Sequence, residues 1–230
     1  MKTYKIAIVG LGATGTVLAA ALLRKDPGTI LVGRSNDLGK TLVKDGIRVS
    51  GEISHVVPVE NYCSRIGDLG KYSPDLVFIS TKTCDLARVL DELETIFKPG
   101  TKIVSTHNGL GTEDLIAERF GADSALRMSL NLGVAQIGPG QVKTAFFNPP
   151  NHLGAVTPQN HKVGEDIAGL FTDAGLDTVY VDDINLHVWK KMVMKCTMAS
   201  ICAVTGKTIR EALHFPPTRV IADACFKEIV

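Results

Sequence analysis

The run Lys5-Ile-Ala-Ile-Val-Gly-Leu-Gly-Ala-Thr-Gly15 leaves this chain little choice of fold. Ile6 to Val9 form a short, continuously apolar segment, which suits a strand buried on both faces. Glycines at 10, 12 and 15 follow at once, and Ala13 to Arg24 read as a helix through Val17, Leu18, Ala21 and Leu22. In such a unit Gly10 permits a tight turn, Gly12 lets the backbone approach a pyrophosphate, and Gly15 lets helix and strand pack closely. The helix N-terminus adds unpaired N–H groups and a partial positive charge suited to phosphates. A chain with 22 glycines produces loose G-x-G-x-x-G matches by chance. Here the strand before and the helix after make it a dinucleotide fingerprint, with Gly10, Leu11, Gly12, Ala13, Thr14 and Gly15 as cofactor-binding backbone.

Length allows one large domain, or one domain and part of a second, and the pattern below favours the latter. Lys and Arg number 25 against 24 Asp and Glu, so charge makes no case for nucleic acid or an anionic membrane. No apolar run reaches membrane-spanning length, and the N-terminus enters a strand too soon for a signal peptide, so the expected location is cytoplasmic. Five cysteines, at 63, 84, 196, 202 and 225, form no C-x-x-C pair and are expected to be reduced and mostly buried. The six histidines show no ligand spacing, so no metal is expected.

After the first helix, Thr29 to Gly33 read as a strand ending in Arg34-Ser35-Asn36. This position selects the cofactor, because an acidic residue here holds a ribose 2′-OH whereas an arginine suits a 2′-phosphate. Arg34 therefore points to NADP(H), with the Ser35 hydroxyl as a second contact; the other reading of Arg34 is a solvated residue at a strand end. Residues 36 to 45 suit a short helix, and Gly46–Gly51 and His55–Val59 are β-rich. Asp75 to Ser80 form another buried strand leading into Thr81-Lys82-Thr83, which places Lys82 at the ligand edge of a parallel sheet or in a solvated loop. A helix over 86–97 carries Leu86, Val89, Leu90, Leu93 and Phe97 on one face and stops at Lys98-Pro99-Gly100. The strand 101–105 opens into Thr106-His-Asn-Gly-Leu-Gly-Thr112, where Asn108 is either a ligand contact or only a turn residue. Strand candidates at 125–135, 141–147 and 152–156 would extend the sheet antiparallel at its far edge. A helix over 163–174 and a strand over 178–181 complete the unit. The fold class is α/β: a Rossmann-type doubly wound sheet over residues 1–182, followed over 183–230 by the start of an all-helical second domain.

In that helical part Ile184, Val188, Met192, Cys196, Ala199 and Ala203 recur at helical spacing as a core stripe. Lys191 and Lys195 sit four apart and share a face. An ammonium among apolar neighbours, with a second ammonium nearby, ionises less readily, which suits a proton donor near neutral pH. Both stems could instead carry their charges out to water.

Five motifs now stand in order: Gly10-Leu-Gly-Ala-Thr-Gly15, Arg34, Thr81-Lys82-Thr83, His107-Asn-Gly-Leu-Gly-Thr112 and Trp189-Lys-Lys-Met192. In this the chain resembles the 2-dehydropantoate 2-reductase (ketopantoate reductase) family across most of residues 5–192. The resemblance implies hydride transfer from NADPH to the ketone of 2-dehydropantoate, giving pantoate for pantothenate biosynthesis. It implies that Lys191 is the catalytic proton donor, that Lys82 and Asn108 line the nicotinamide and substrate site, and that Asn108 and Lys191 bind the 2-oxo acid; the Lys195 ammonium, on the same helix face as Lys191, is expected as a further substrate contact on charge grounds. Hydride addition leaves negative charge on oxygen, and a positioned cation stabilises it.

Lys195 and Ala199 stand where the family's helix carries asparagines, although a cation at 195 suits a carboxylate-bearing substrate. Family members also continue through a complete helical domain, and the apolar helix at 220–230 reads as its first half, so a fragment is expected, with a homodimer through the helical domain as a further expectation. Two alternatives accompany this reading: a reductase or dehydrogenase for another D-2-hydroxy acid, and a non-catalytic NADP-binding sensor.

Overall fold

The computed structural model describes residues 4–230, which divide into two compact units that meet in sequence between Ile184 and Asn185. The first unit runs β1 (Ile6–Val9), α1 (Ala13–Leu23), β2 (Ile30–Val32), α2 (Asn36–Asp45), β3 (Ile47–Gly51), β4 (His55–Val57) and β5 (Asn61–Cys63). It continues with β6 (Leu76–Ile79), α3 (Leu86–Glu94), β7 (Lys102–Ser105), α4 (Thr112–Phe120), β8 (Ala125–Ser129), β9 (Leu132–Gly138), β10 (Gln141–Phe147), β11 (Asn151–Ala155), α5 (His161–Asp173) and β12 (Thr178–Tyr180). The second unit is helical, with most of α6 (Ile184–Thr205), α7 (Ile209–His214) and α8 (Pro216–Ile229).

Eight strands form the main sheet in the order β12-β11-β8-β7-β6-β1-β2-β5. The pairs from β5 across to β8 are parallel, β11 is antiparallel to β8, and β12 is parallel to β11. The apolar runs in β1 and β6 are continuous because both faces are covered. Ile6, Ile8, Leu76 and Phe78 join a core with α1 and α5, while Ala7, Val9, Val77 and Ile79 join another with α3. Helix α3 ends at Glu94, one turn before the stop expected from Lys98-Pro99-Gly100.

The β-rich block does not simply extend this sheet, as its sequence suggests. Residues 125–135 split into two strands, and only β11 extends the sheet antiparallel to its neighbour. Strands β9 and β10 instead join β3 and β4 in a second sheet of order β4-β3-β10-β9. The cause lies in α1, which is buried from Gly15 to Leu23 and so has no solvent face. It packs against β1 on one side and β3, β4, β9 and β10 on the other. Leu18 and Leu22 share one core with Val49, Val57 and Val142, so the second sheet buries surface that would otherwise face water.

In α6, Ile184 and Val188 are buried as the stripe predicts, but Cys196, Ala199 and Ala203 are exposed. Burial passes instead to Met198 and Ile201, which pack with Ala212 of α7 and Ala222 of α8. Larger apolar side chains gain more from burial than the small ones of the stripe. The cysteines are also less buried than expected. Only Cys63 is fully buried, Cys202 and Cys225 are half-buried, and Cys84 and Cys196 are exposed, in the turn after β6 and on the open face of α6. Among the described residues no helix is long and apolar enough to cross a membrane, and no group of three or more His, Cys, Asp or Glu could hold a metal.

Candidate functional site

Strand order reverses on either side of β1, and in open α/β sheets ligands bind where this reversal opens a crevice at the carboxyl ends of the strands. A cleft of about 1110 Å³ lies there. Gly10 to Thr14 line it from the first turn, Arg34 from the end of β2, Lys82 from the loop after β6, and Asn108 from the loop after β7. Gly15 is buried behind that lining.

The backbone of the glycine turn leaves room for a pyrophosphate. Gly10 holds φ at +97°, and a Cβ on it would come 2.8 Å from the Thr81 nitrogen. A Cβ on Gly15 would overlap the Gly10 carbonyl oxygen, so α1 starts directly against the turn. Gly12 is the N-cap of α1 and brings no side-chain hydrogen bond to the first turn, and nothing lies within 4 Å of where its Cβ would sit. The N–H groups and dipole of the helix therefore meet open space suited to an anion.

At the end of β2 the exposed Arg34 guanidinium pairs with the Asp85 carboxylate, which is also 3.9 Å from Arg88. The Ser35 hydroxyl accepts a hydrogen bond from the Leu38 N–H at 3.2 Å, capping α2 rather than only offering a ligand contact. Sequence reading passed over β5, because Asn61-Tyr62-Cys63 carries no apolar run. It thereby missed Ser64 and Arg65, which line the cleft beside Arg34. Parallel pairing of β5 with β2 puts Arg65 at the same edge as Arg34.

The two loops bearing Lys82 and Asn108 are tied together. Ser80 Oγ and Thr106 Oγ1 are 2.7 Å apart, and Thr81 Oγ1 lies 3.4 Å from His107 Nε2. His107 Nδ1 is 3.0 Å from Ser105 Oγ. Burial, reinforced by the Arg127 guanidinium, pushes the His107 pKa down to about 4, so the ring is neutral at physiological pH. Lys82 and Asn108 themselves are exposed at the cleft. Behind the Asn108 loop lies a fully buried ion pair that sequence reading also missed, Arg127 Nη1 to Glu113 Oε2 at 2.8 Å. No local pattern joins those two residues, since they come from β8 and α4.

Lys191 and Lys195 belong to the second unit, on α6, and both are half-buried. Burial lowers the pKa of Lys195 from the usual lysine value; the expected contribution of a neighbouring ammonium is not among the causes.

Residues 6–158 match the family model described as ketopantoate reductase PanE/ApbA, and residues 183–230 match that of its C-terminal part. The chain is 27% identical over 207 residues to a 2-dehydropantoate 2-reductase of Streptococcus pyogenes serotype M3, covering 89% of this chain and 65% of that protein. A 2-dehydropantoate 2-reductase of Pyrococcus abyssi is 27% identical over 210 residues, covering 90% of this chain and 67% of that one. The chain thus spans about two thirds of the length of these curated relatives. The crystal structure of 2-dehydropantoate 2-reductase from Geobacter metallireducens superimposes with a TM-score of 0.87 at 25% identity, covering 98% of this chain and 73% of that one. A D-mandelate dehydrogenase solved with NADH and anilino(oxo)acetate shares the fold, with a TM-score of 0.83 at 20% identity over 95% of this chain and 70% of that one. Matched along both its α/β and its helical parts, the chain belongs to the ketopantoate reductase PanE/ApbA family.

Proposed function

We propose that this chain belongs to an NADPH-dependent reductase that converts 2-dehydropantoate to pantoate. The observation that carries the reading is the cleft at the strand-order reversal, where an uncapped glycine turn faces open space and Arg34 stands at the tip of β2 where an acidic residue would select NAD. Gly10 to Thr14 would hold the pyrophosphate, Arg34 the 2′-phosphate, and Lys82 and Asn108 the nicotinamide end. A bound nicotinamide would supply hydride to the ketone carbon. Lys191 donates a proton to the oxygen as negative charge develops on it, and Lys195, whose charge is poorly solvated, pairs with the substrate carboxylate. Asn108 orients the oxo acid through its carboxamide.

The test is the loss of NADPH absorbance with 2-dehydropantoate and a panel of other 2-oxo acids, repeated with NADH, on this chain and on the full-length gene product. Turnover of 2-dehydropantoate with NADPH preferred supports the reading. Tight nucleotide binding with no turnover of any 2-oxo acid overturns it in favour of a nucleotide-binding sensor.

A second reading keeps the chemistry and changes the substrate to another D-2-hydroxy acid. Lys195 and Ala199, in place of the asparagines of the resembled family, favour it, as does the likeness to D-mandelate dehydrogenase. Preference for a bulkier oxo acid in the same panel would select it. The homodimer through the helical unit also belongs to this proposal. Val220, Ile221 and Phe226 of α8 give it exposed apolar surface, and sedimentation as a monomer would remove it.

A further inference from the structure

The loop from Thr106 to Leu110 runs from β7 to the N-cap of α4, so its carbonyls have neither a ladder nor a helix to pair with. Two of them are met by one side chain. Arg127 lies opposite Ser105 in the β7–β8 register and is 1% exposed. Its Nη2 donates to the His107 carbonyl at 2.7 Å and to the Gly109 carbonyl at 2.6 Å, the residues on either side of Asn108. Its Nη1 is held by Glu113 Oε2 at 2.8 Å and by the Thr112 hydroxyl, so the fork cannot swing. Among the described residues the Asn108 carboxamide itself makes no hydrogen bond, and it stands exposed at the cleft.

A buried ion pair is weak evidence for stability, because apolar residues of similar volume serve a core as well or better. What the planar guanidinium does that a hydrocarbon or an ammonium cannot is bridge two carbonyls at a fixed spacing while keeping its carboxylate partner. We propose that Arg127 is a positioning residue for Asn108, fixing the peptides on both sides of it so that the carboxamide meets its ligand in one orientation. The proposal rests on the reading of Asn108 as a contact to the oxo acid and nicotinamide.

The experiment uses the full-length protein and two kinds of variant. Arg127→Lys keeps a cation facing Glu113 but loses the fork. Arg127→Met combined with Glu113→Leu removes both buried charges, so that neither is left unpaired. Limited proteolysis of the nucleotide-free protein should cut within 106–111 about tenfold faster or more in either folded variant, with β7 and β8 as resistant as before. With substrate, kcat should fall by about 10- to 100-fold while nucleotide affinity stays within about threefold. In an Asn108→Ala background Arg127→Lys should then cost less than about threefold, because its effect passes through the residue already removed.

An unchanged cleavage rate at 106–111 in a folded variant would overturn the proposal, and so would equal losses of kcat with and without Asn108. Absence of 2-oxo acid turnover by the wild type would instead sink the functional reading, leaving the cleavage rate at 106–111 to decide what Arg127 does.

Discussion

Gly15 and Gly10 meet backbone to backbone: a Cβ on Gly15 would overlap the Gly10 carbonyl oxygen, whereas one on Gly12 would meet nothing within 4 Å. Two glycines of one motif thus do different work. Gly15→Ala must push α1 off the turn, and overpacking of this kind costs about 1–3 kcal/mol or more. Gly12→Ala should cost stability less than about 1 kcal/mol, the preference of an N-cap for Gly over Ala. It should nevertheless weaken nucleotide binding by about tenfold or more, because the methyl enters the space a pyrophosphate would use. Thermal unfolding and nucleotide titration of both variants separate these effects. A Gly12→Ala protein that binds nucleotide as well as wild type would remove that site from the turn.

Arg34 and Asp85 make a second contrast. Arg34→Ala should weaken NADPH binding by about tenfold or more while leaving NADH within about threefold, since only the former carries a 2′-phosphate. Asp85 pairs with Arg34 and lies near Arg88, so its carboxylate competes with a phosphate for the same cations. Asp85→Asn should therefore tighten NADPH binding several-fold. Neither change should move the melting temperature much, because such exposed pairs contribute little. Equal losses of NADPH and NADH affinity in Arg34→Ala would count against a 2′-phosphate role.

The sequence is most legible where local pattern and global fold demand the same thing. The segment 6–9 is apolar at every position and lies at the centre of a sheet, so reading it required no knowledge of distant residues. The same holds for 36–45, where Ser35 caps α2 and Gly46 ends it with φ at +72°. What escaped depends on partners far along the chain. Val142 and Val49 pair across two parallel strands more than 90 residues apart, and their sheet exists because α1 needs cover on a second side. The Arg127–Glu113 pair escaped for the same reason, and Arg65 because β5 has too few apolar residues to announce itself.

His107 makes folding stability depend on pH. Its pKa falls from 6.5 to about 4 on burial. Between those values the unfolded chain binds a proton that the folded chain refuses, so stability is lost as pH drops through that window and regained as it rises. The full window is worth about 3 kcal/mol. His107→Gln keeps hydrogen-bonding groups for Ser105 and Thr81 but does not titrate. The difference in unfolding free energy between wild type and variant should change by about that amount from neutral pH to pH 4, measured by urea titration. Parallel profiles would mean that His107 keeps an ordinary pKa in the folded state.

The two lysines of α6 should separate by kinetic parameter. A proton donor acts as charge develops on the oxygen, so Lys191→Ala in the full-length protein should lower kcat by about 10²–10⁴-fold with nucleotide affinity nearly intact. A partner for the substrate carboxylate contributes the same attraction before and during the reaction. Lys195→Ala should accordingly raise KM for the oxo acid and leave kcat within a few-fold. Burial holds the Lys195 pKa below the usual lysine value, so in the wild type KM should begin to rise at a lower pH than ordinary lysine ionisation would give. That early rise should vanish in Lys195→Ala. If Lys191→Ala changes kcat by only a few-fold while Lys195→Ala abolishes it, the roles belong the other way round, and the donor is the lysine whose charge is the less solvated.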